Sequence, residues 1–446
     1  MNQINKKMSL LEKISYGSGN MGICLCTTLI TTFIMYFYTD VVKISVLQVG
    51  TIMLIGGIAD AVSDAVMGII VDHTNTRWGK CRPYLIFGAI PMAAACFFVL
   101  HVPDASATVK YIYALITYVI YTLAYTTVLI PQNVLISAIT DDTQDRLGTN
   151  IGQLITGAFA LTLVSVLGHG SEYRGYNITI LIFGIFGAAL TMVDGFNTRE
   201  RMNMGTAAQQ KISAADTIRS MKNTPWIICT VTTLFIIAQV VVKSSTTVYY
   251  STNVLQNAGM SSSLLSIANI IGIPITLIIP VIAAKIGNRN IVWVGSVFGV
   301  LGNIGIYFFK FNNIAVIACA VIASVGTAFV NGIIYVMCAE SIDYGEWKSG
   351  IRVQGFLMAF IGFAVKIANS IVQMITTAIL NAGGYNGAAE VQTASAVNAI
   401  EFCYVWIPVI LFVIVFIING FYKLDKIYPQ IRADLNKKRD AMATEN

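Results

Sequence analysis

Runs of about 20 apolar residues recur along this chain, each long enough to cross the hydrocarbon core of a bilayer as a helix. They lie at residues 16–38, 46–71, 83–103, 110–138, 149–169, 177–197, 225–250, 261–284, 291–309, 314–339, 355–381 and 400–422. Only helices and closed barrels satisfy their backbone polar groups in lipid, and the period-2 alternation of barrel strands is absent. An all-α membrane protein with twelve transmembrane helices is expected. Composition agrees where it discriminates: 56% of residues are hydrophobic and 11% charged, against about 25% charged in soluble domains.

The net charge of +6 is informative through its placement. With the N-terminus inside, 22 of the 28 Lys and Arg fall on the cytoplasmic side and 4 outside, with Lys243 and Lys366 inside spans. The positive-inside rule then puts both termini in the cytoplasm of a multi-pass inner-membrane protein. The charge reflects topology and lipid headgroups, so nucleic acid is not an expected partner. No cleavable signal peptide is evident: the first apolar run is long and lacks a small-residue cleavage site. The eight cysteines scatter through the spans and read as small packing hydrophobes. Three histidines far apart in sequence give no convergent metal site.

The polar stretch 198–224 divides the chain into a six-helix bundle at 1–197 and another at 225–422, followed by a cytoplasmic tail at 423–446. The halves echo each other: Ser137-Ala-Ile-Thr-Asp-Asp at the end of the fourth helix answers Cys338-Ala-Glu-Ser-Ile-Asp at the end of the tenth. Two six-helix pseudo-repeats are the pattern of the major facilitator fold, in which solute binds between halves that rock around it.

Asp60 and Asp64 sit inside the second apolar run, four residues apart and so on one side of a helix. Carboxylates at membrane depth are costly unless they face a wet cavity or hold something positive. Two such anions cannot both stay ionised cheaply, so either a cation joins them or they share a proton. Ser63 is adjacent but points about 100° away from Asp64 on a helix. Lys366 lies mid-span with Asn369 and Gln373 at i+3 and i+7, a polar stripe that reads as cavity lining.

Several motifs, in collinear order over nearly the whole chain, resemble the glycoside–pentoside–hexuronide:cation symporters. They are Ser15-Tyr-Gly through Tyr38-Thr-Asp40, Asp60-x-x-x-Asp64, the loop Asp72–Pro83 with Arg77-Trp-Gly-Lys80, Ile130-Pro131, Asp343-Tyr-Gly-Glu346-x-x-x-Gly350-x-Arg352, and Lys366. The resemblance implies twelve helices, a cytoplasmic N-terminus and uptake of a sugar with Na⁺, Li⁺ or H⁺. It assigns the cation to Asp60 and Asp64, with Lys366 near them as a coupling group that pairs with a carboxylate when the cation leaves. It also implies that the loops carrying Asp72, Arg77, Lys80, Asp343, Glu346 and Arg352 form ion pairs and short cytoplasmic helices that latch the halves. Where melibiose carriers place a sugar-binding aspartate and a lysine, this chain has Cys24 and Ile23; Leu129 replaces another carboxylate and Gln153 an arginine. Melibiose is therefore not the expected solute. The runs Gly350–Gly355 and Gly383-Gly-Tyr-Asn look closer to the glucuronide-carrier branch.

Candidate solute contacts are Asn20, Tyr121, Tyr125, Gln153, Lys243, Lys366, Asn369 and Gln373. Sugar rings stack on aromatics and hydrogen-bond to amides, although tyrosines also serve as packing and interface residues. Lys243 either snorkels or, with Lys366, makes the cavity positive enough for an anionic hexuronide. No phosphate-cradling Gly-x-x-x-x-Gly-Lys loop is present, so ATP drive is not encoded. The leading expectation is a monomeric symporter, not an enzyme, needing no cofactor beyond Na⁺ or H⁺ and contacting lipid. The alternatives are a facilitator for a lipid-like or other amphipathic anion, and a non-transporting sensor.

Overall fold

A computed structural model of the chain describes residues 8–140, 173–201, 223–350 and 354–445, with Thr156 and Phe159 between the first two stretches. The described residues are helical apart from turns and one isolated bridge, Thr76–Gly79. In chain order the helices are α1 (Leu10–Val41), α2 (Val46–His73), α3 (Arg82–Val99), α4 (Ala107–Ile139), α5 (Tyr173–Asn197), α6 (Thr224–Val254), α7 (Met260–Ile286), α8 (Asn288–Phe308), α9 (Asn313–Ser349), α10 (Gln354–Ala382), α11 (Ala394–Asn419) and α12 (Tyr428–Glu445). Among the described residues, ten helices are long and apolar enough to cross a membrane. This is a multi-pass membrane protein. The expected fifth span, 149–169, lies almost wholly outside the described residues.

Start signals are local. Ser9 and Glu12 form a capping box, the serine hydroxyl accepting from Glu12 N while Glu12 Oε2 accepts from Ser9 N. Asn312 caps α9 by accepting from the backbone N–H groups of Ile314 and Ala315. Helix α4 runs through the buried Pro131, an interruption that transmembrane helices tolerate.

Two compact units emerge, and their limits differ from the expected halves. The first comprises Met1–Ala207 with Ser244–Ile270 and Ser370–Ile400; the second comprises Ala208–Lys243, Ile271–Asn369 and Glu401–Asn446. Within the first, α1 packs on α5, α3 on α4 and α5, and α2 on α4. Small residues set the α1–α5 approach: a side chain at Gly22 would strike the backbone of Gly187. Within the second, α8 and α9 meet through Gly295, Gly299 and Gly326, and the core gathers Val292, Val330, Met337 and Phe412.

The short cytoplasmic helices expected around Asp72–Arg82 are not formed there; residues 74–81 make a turn instead. Gly79, at φ +107°, cannot continue a right-handed helix. Glu200 then closes the turn from a distance, its carboxylate accepting from Lys80 N (2.7 Å), Cys81 N (2.8 Å) and Arg82 N (3.1 Å). An acid on the free N–H groups that open α3 is a favourable cap. Arg82 in turn donates to the carbonyls of Gly195 and Phe196 at the end of α5.

Candidate cation and solute site

Helices α2 and α4 run parallel, and side-chain pairs fix their register. Thr51 meets Tyr111 with hydroxyls 3.2 Å apart, and the Tyr118 ring lies where a side chain on Gly56 would be. The next level brings Thr126 to the two acids. Thr126 Oγ1 lies 3.1 Å from Asp60 Oδ1 and 3.1 Å from Asp64 Oδ1. Ser63 Oγ is 3.0 Å from the same threonine oxygen. One hydroxyl thus centres a cluster of hard oxygen atoms, two of them from carboxylates, inside an apolar helix pair. Such oxygens suit a small hard cation, whereas softer metals favour nitrogen or sulfur.

Sequence reasoning missed Thr126 and misplaced Ser63. The 100° rotation from Asp64 was correct for an isolated helix, yet α4 approaches from the side that Ser63 faces. A hydroxyl six residues from Gln132 in an apolar run was the available signal, but only the α2–α4 register shows where it points.

Of the proposed solute contacts, Tyr121 and Tyr125 stack with centroids 6.1 Å apart and planes at 18°. Tyr121 is buried and Tyr125 half-buried. Asn20 on α1, and Lys366, Asn369 and Gln373 on α10, are each half-buried. Lys243 does not snorkel: its ammonium donates to Asn303 Oδ1 on α8 and lies 5.0 Å from the Tyr404 ring centroid on α11. Gln153 and Arg352 lie outside the described residues. Asp72 and Arg77 are exposed, Arg77 lying 5.8 Å from the Trp78 ring centroid. Lys80 engages Glu200 through its backbone, Glu346 is half-buried, and Asp343 accepts from Tyr428 of α12 at 3.0 Å.

A second polar cluster lies in the first unit at the opposite end of α1. Tyr385 donates to Asp40 Oδ1 at 2.6 Å, and the hydroxyls of Thr39 and Tyr249 are 2.7 Å apart. Lys43 donates to the Gly387 carbonyl. Burial, then the adjacent Asp40, holds the Tyr385 phenol far above its ordinary value, so it remains the donor. The last turns of α1 and α6 here are π-helical, a geometry that recurs at functional sites. Asp40 and Tyr385 both fall in motifs noted above, but their pairing bridges 345 residues of sequence.

Comparison with known proteins agrees with this architecture. Residues 15–426 match the family described as MFS/sugar transport protein, and the chain belongs to that family. It is 34% identical over 441 residues to the isoprimeverose transporter of Lactiplantibacillus pentosus, covering 96% of this chain and 91% of that protein. It is 29% identical over 433 residues to a putative glycoside/cation symporter, YagG, of Escherichia coli K12, covering 94% and 93%. A crystal structure of a bacterial homologue of the lysosomal transporter Spinster, inward-facing and unoccupied, superposes with TM-score 0.70 at 14% identity, over 95% of this chain and 99% of that one. The fold is that of the major facilitator transporters, and the protein is a membrane transporter, not an enzyme.

Proposed function

We propose that this protein carries a small neutral glycoside across a bacterial inner membrane together with Na⁺ or H⁺, by alternating access. The observation that carries this reading is the Thr126 hydroxyl held 3.1 Å from both Asp60 and Asp64. Two like charges each within 3.1 Å of one oxygen lie no more than about 6 Å apart, and at an effective dielectric of about 20 they repel by about 3 kcal/mol. A visiting cation or proton relieves that repulsion, so occupancy has a large effect on this site. Asp60, Asp64, Thr126 and Ser63 are the proposed cation ligands, and Lys366 the group that links occupancy to reorientation.

A neutral solute is favoured because Lys243 is already engaged by Asn303 and Tyr404. With that ammonium held against α8 and α11, the hexuronide expectation loses the second cation it placed in the solute path. Isoprimeverose, the solute named for the 34%-identical relative, is the first to test. Asn20, Tyr121, Tyr125, Gln153, Asn369 and Gln373 are proposed to line the glycoside's path. Asp72, Arg77, Lys80, Asp343, Glu346 and Arg352 are proposed to govern the rate of reorientation. The six-plus-six division is retained as the functional repeat, with both termini proposed to be cytoplasmic.

Vesicles loaded without solute and given an imposed Na⁺ or pH gradient should accumulate labelled isoprimeverose, with neutral glycosides competing and glucuronides not. Uptake indifferent to both gradients, or competition by glucuronides alone, would sink the proposal.

A further inference from the structure

Asp194, near the end of α5, is fully buried in the first unit and takes no part in the site above. Neither of its carboxylate oxygens has a hydrogen-bond partner of ordinary geometry. It packs so closely on α1 that a side chain at Gly19 would overlap it. The side chains of Gln132 and Thr198 face its carboxyl group as weak donors. Thr198 directs its hydroxyl to the Asp194 backbone carbonyl at 2.6 Å. Gln132, also fully buried, directs Nε2 to the Tyr16 carbonyl at 3.3 Å, while the Tyr16 hydroxyl donates to the Gln132 carbonyl at 3.1 Å. That exchange fixes which end of the amide faces α1 and leaves Gln132 Oε1 as another buried acceptor without a donor.

The charged neighbours are committed elsewhere. Arg82, on α3, serves the carbonyls of Trp78, Gly195 and Phe196. On α1, Glu12 pairs with Arg201 at 2.7 Å. The Glu200 carboxylate caps α3 beside Cys81, and Arg199 is exposed. Helix α4 presents the neutral Gln132 here. An ionised carboxylate in such a place lacks solvent and a contacting cation, with only the neutral Gln132 and Thr198 side chains facing it, which is strongly unfavourable.

We propose that Asp194 is a proton-binding site: its carboxyl group carries a proton in this conformation, and the proton exchanges with water when the α1–α4–α5 junction opens. One proton supplies the donor missing from a group of acceptors. Gln132 and Thr126 ride on the same helix six residues apart, about 9 Å of rise. Pro131 stands between them and removes one backbone hydrogen bond, so α4 bends there more easily. Loss of the Asp194 proton would tilt this segment and alter how Thr126 meets Asp60 and Asp64. The inference does not depend on which solute is carried.

Infrared difference spectroscopy of the purified full-length protein at neutral pH tests it without sugar or Na⁺. The parent should show the carbonyl stretch of a buried protonated carboxyl that Asp194→Asn lacks, and Gln132→Leu should move that band to higher frequency. In vesicles, Asp194→Asn should remove the alkaline limb from the pH dependence of apparent cation affinity. A parent spectrum matching Asp194→Asn in the protonated-carboxyl region would mean an ionised carboxylate, solvated or not, and overturns the proposal. If Asp194→Asn does not fold, a band unmoved by Gln132→Leu overturns it equally.

Discussion

Replacing Thr126 by valine removes one hydroxyl and preserves volume, and the structure makes the result depend on the coupling ion. That hydroxyl lies within hydrogen-bond range of both carboxylates. A hydrogen bond to a charged group contributes about 1.5–3 kcal/mol, a factor of roughly 10–150 in an equilibrium. If Na⁺ is the ion, the substitution deletes an oxygen ligand, and half-saturation should rise by roughly that factor. If H⁺ is the ion, the hydroxyl favours the ionised pair. Its loss should strengthen proton binding and move the uptake midpoint up by about one to two pH units. The assay is initial uptake of labelled glycoside in vesicles, titrated with Na⁺ at fixed pH and with pH in the absence of Na⁺. Maximal rate at saturating ion should stay within a fewfold of the parent. Half-saturation and pH midpoint both unchanged would refute the placement of Thr126 in the ion site.

Further outcomes follow from other contacts. Tyr385→Phe removes the donor to Asp40 and should raise modification of a cysteine introduced at the buried Phe37 by about tenfold or more; an unchanged labelling rate would show that this contact bears no load. Gly57→Val places a side chain against Ser370 of α10, and overpacking of about 1–3 kcal/mol should lower the melting temperature or depress uptake at equal membrane abundance. Burial, reinforced by Glu200, pushes the Cys81 thiol up to about 12; the intact transporter should therefore resist maleimide there at pH 7, and Glu200→Ala, which uncaps α3, should make Cys81 reactive. Lys243→Met should leave the half-saturation for a neutral glycoside within about threefold, since its ammonium engages Asn303 and Tyr404; a loss of tenfold or more would return Lys243 to the solute path.

The charged candidates were legible because intramembrane charge is scarce enough to be conspicuous. Asp60, Asp64 and Lys366 stand out from their apolar surroundings by cost alone. Hydroxyls and amides carry no such signal, since threonine and serine satisfy themselves on the preceding helical turn, and Thr126 is indistinguishable in sequence from Thr122 or Thr127. The Asp72–Arg82 loop departs for a related reason: the family resemblance implied short helices, but the turn is held by Glu200, 120 residues from Lys80.

Chain composition and periodicity determined that this protein crosses a membrane many times, because apolar runs of bilayer length leave helices as the solution for the backbone. They also determined that the second span presents two acids on one side, because residues at i and i+4 share a helix face wherever the helix goes. Tertiary structure alone decided which neutral oxygens join those acids, what engages Lys243, and that Asp40 meets Tyr385. Those pairings depend on the register and rotation of one helix against another, set by close contacts such as Gly56 with Tyr118 and Gly19 with Asp194. No local pattern encodes such contacts, since each partner's share lies in a distant part of the chain.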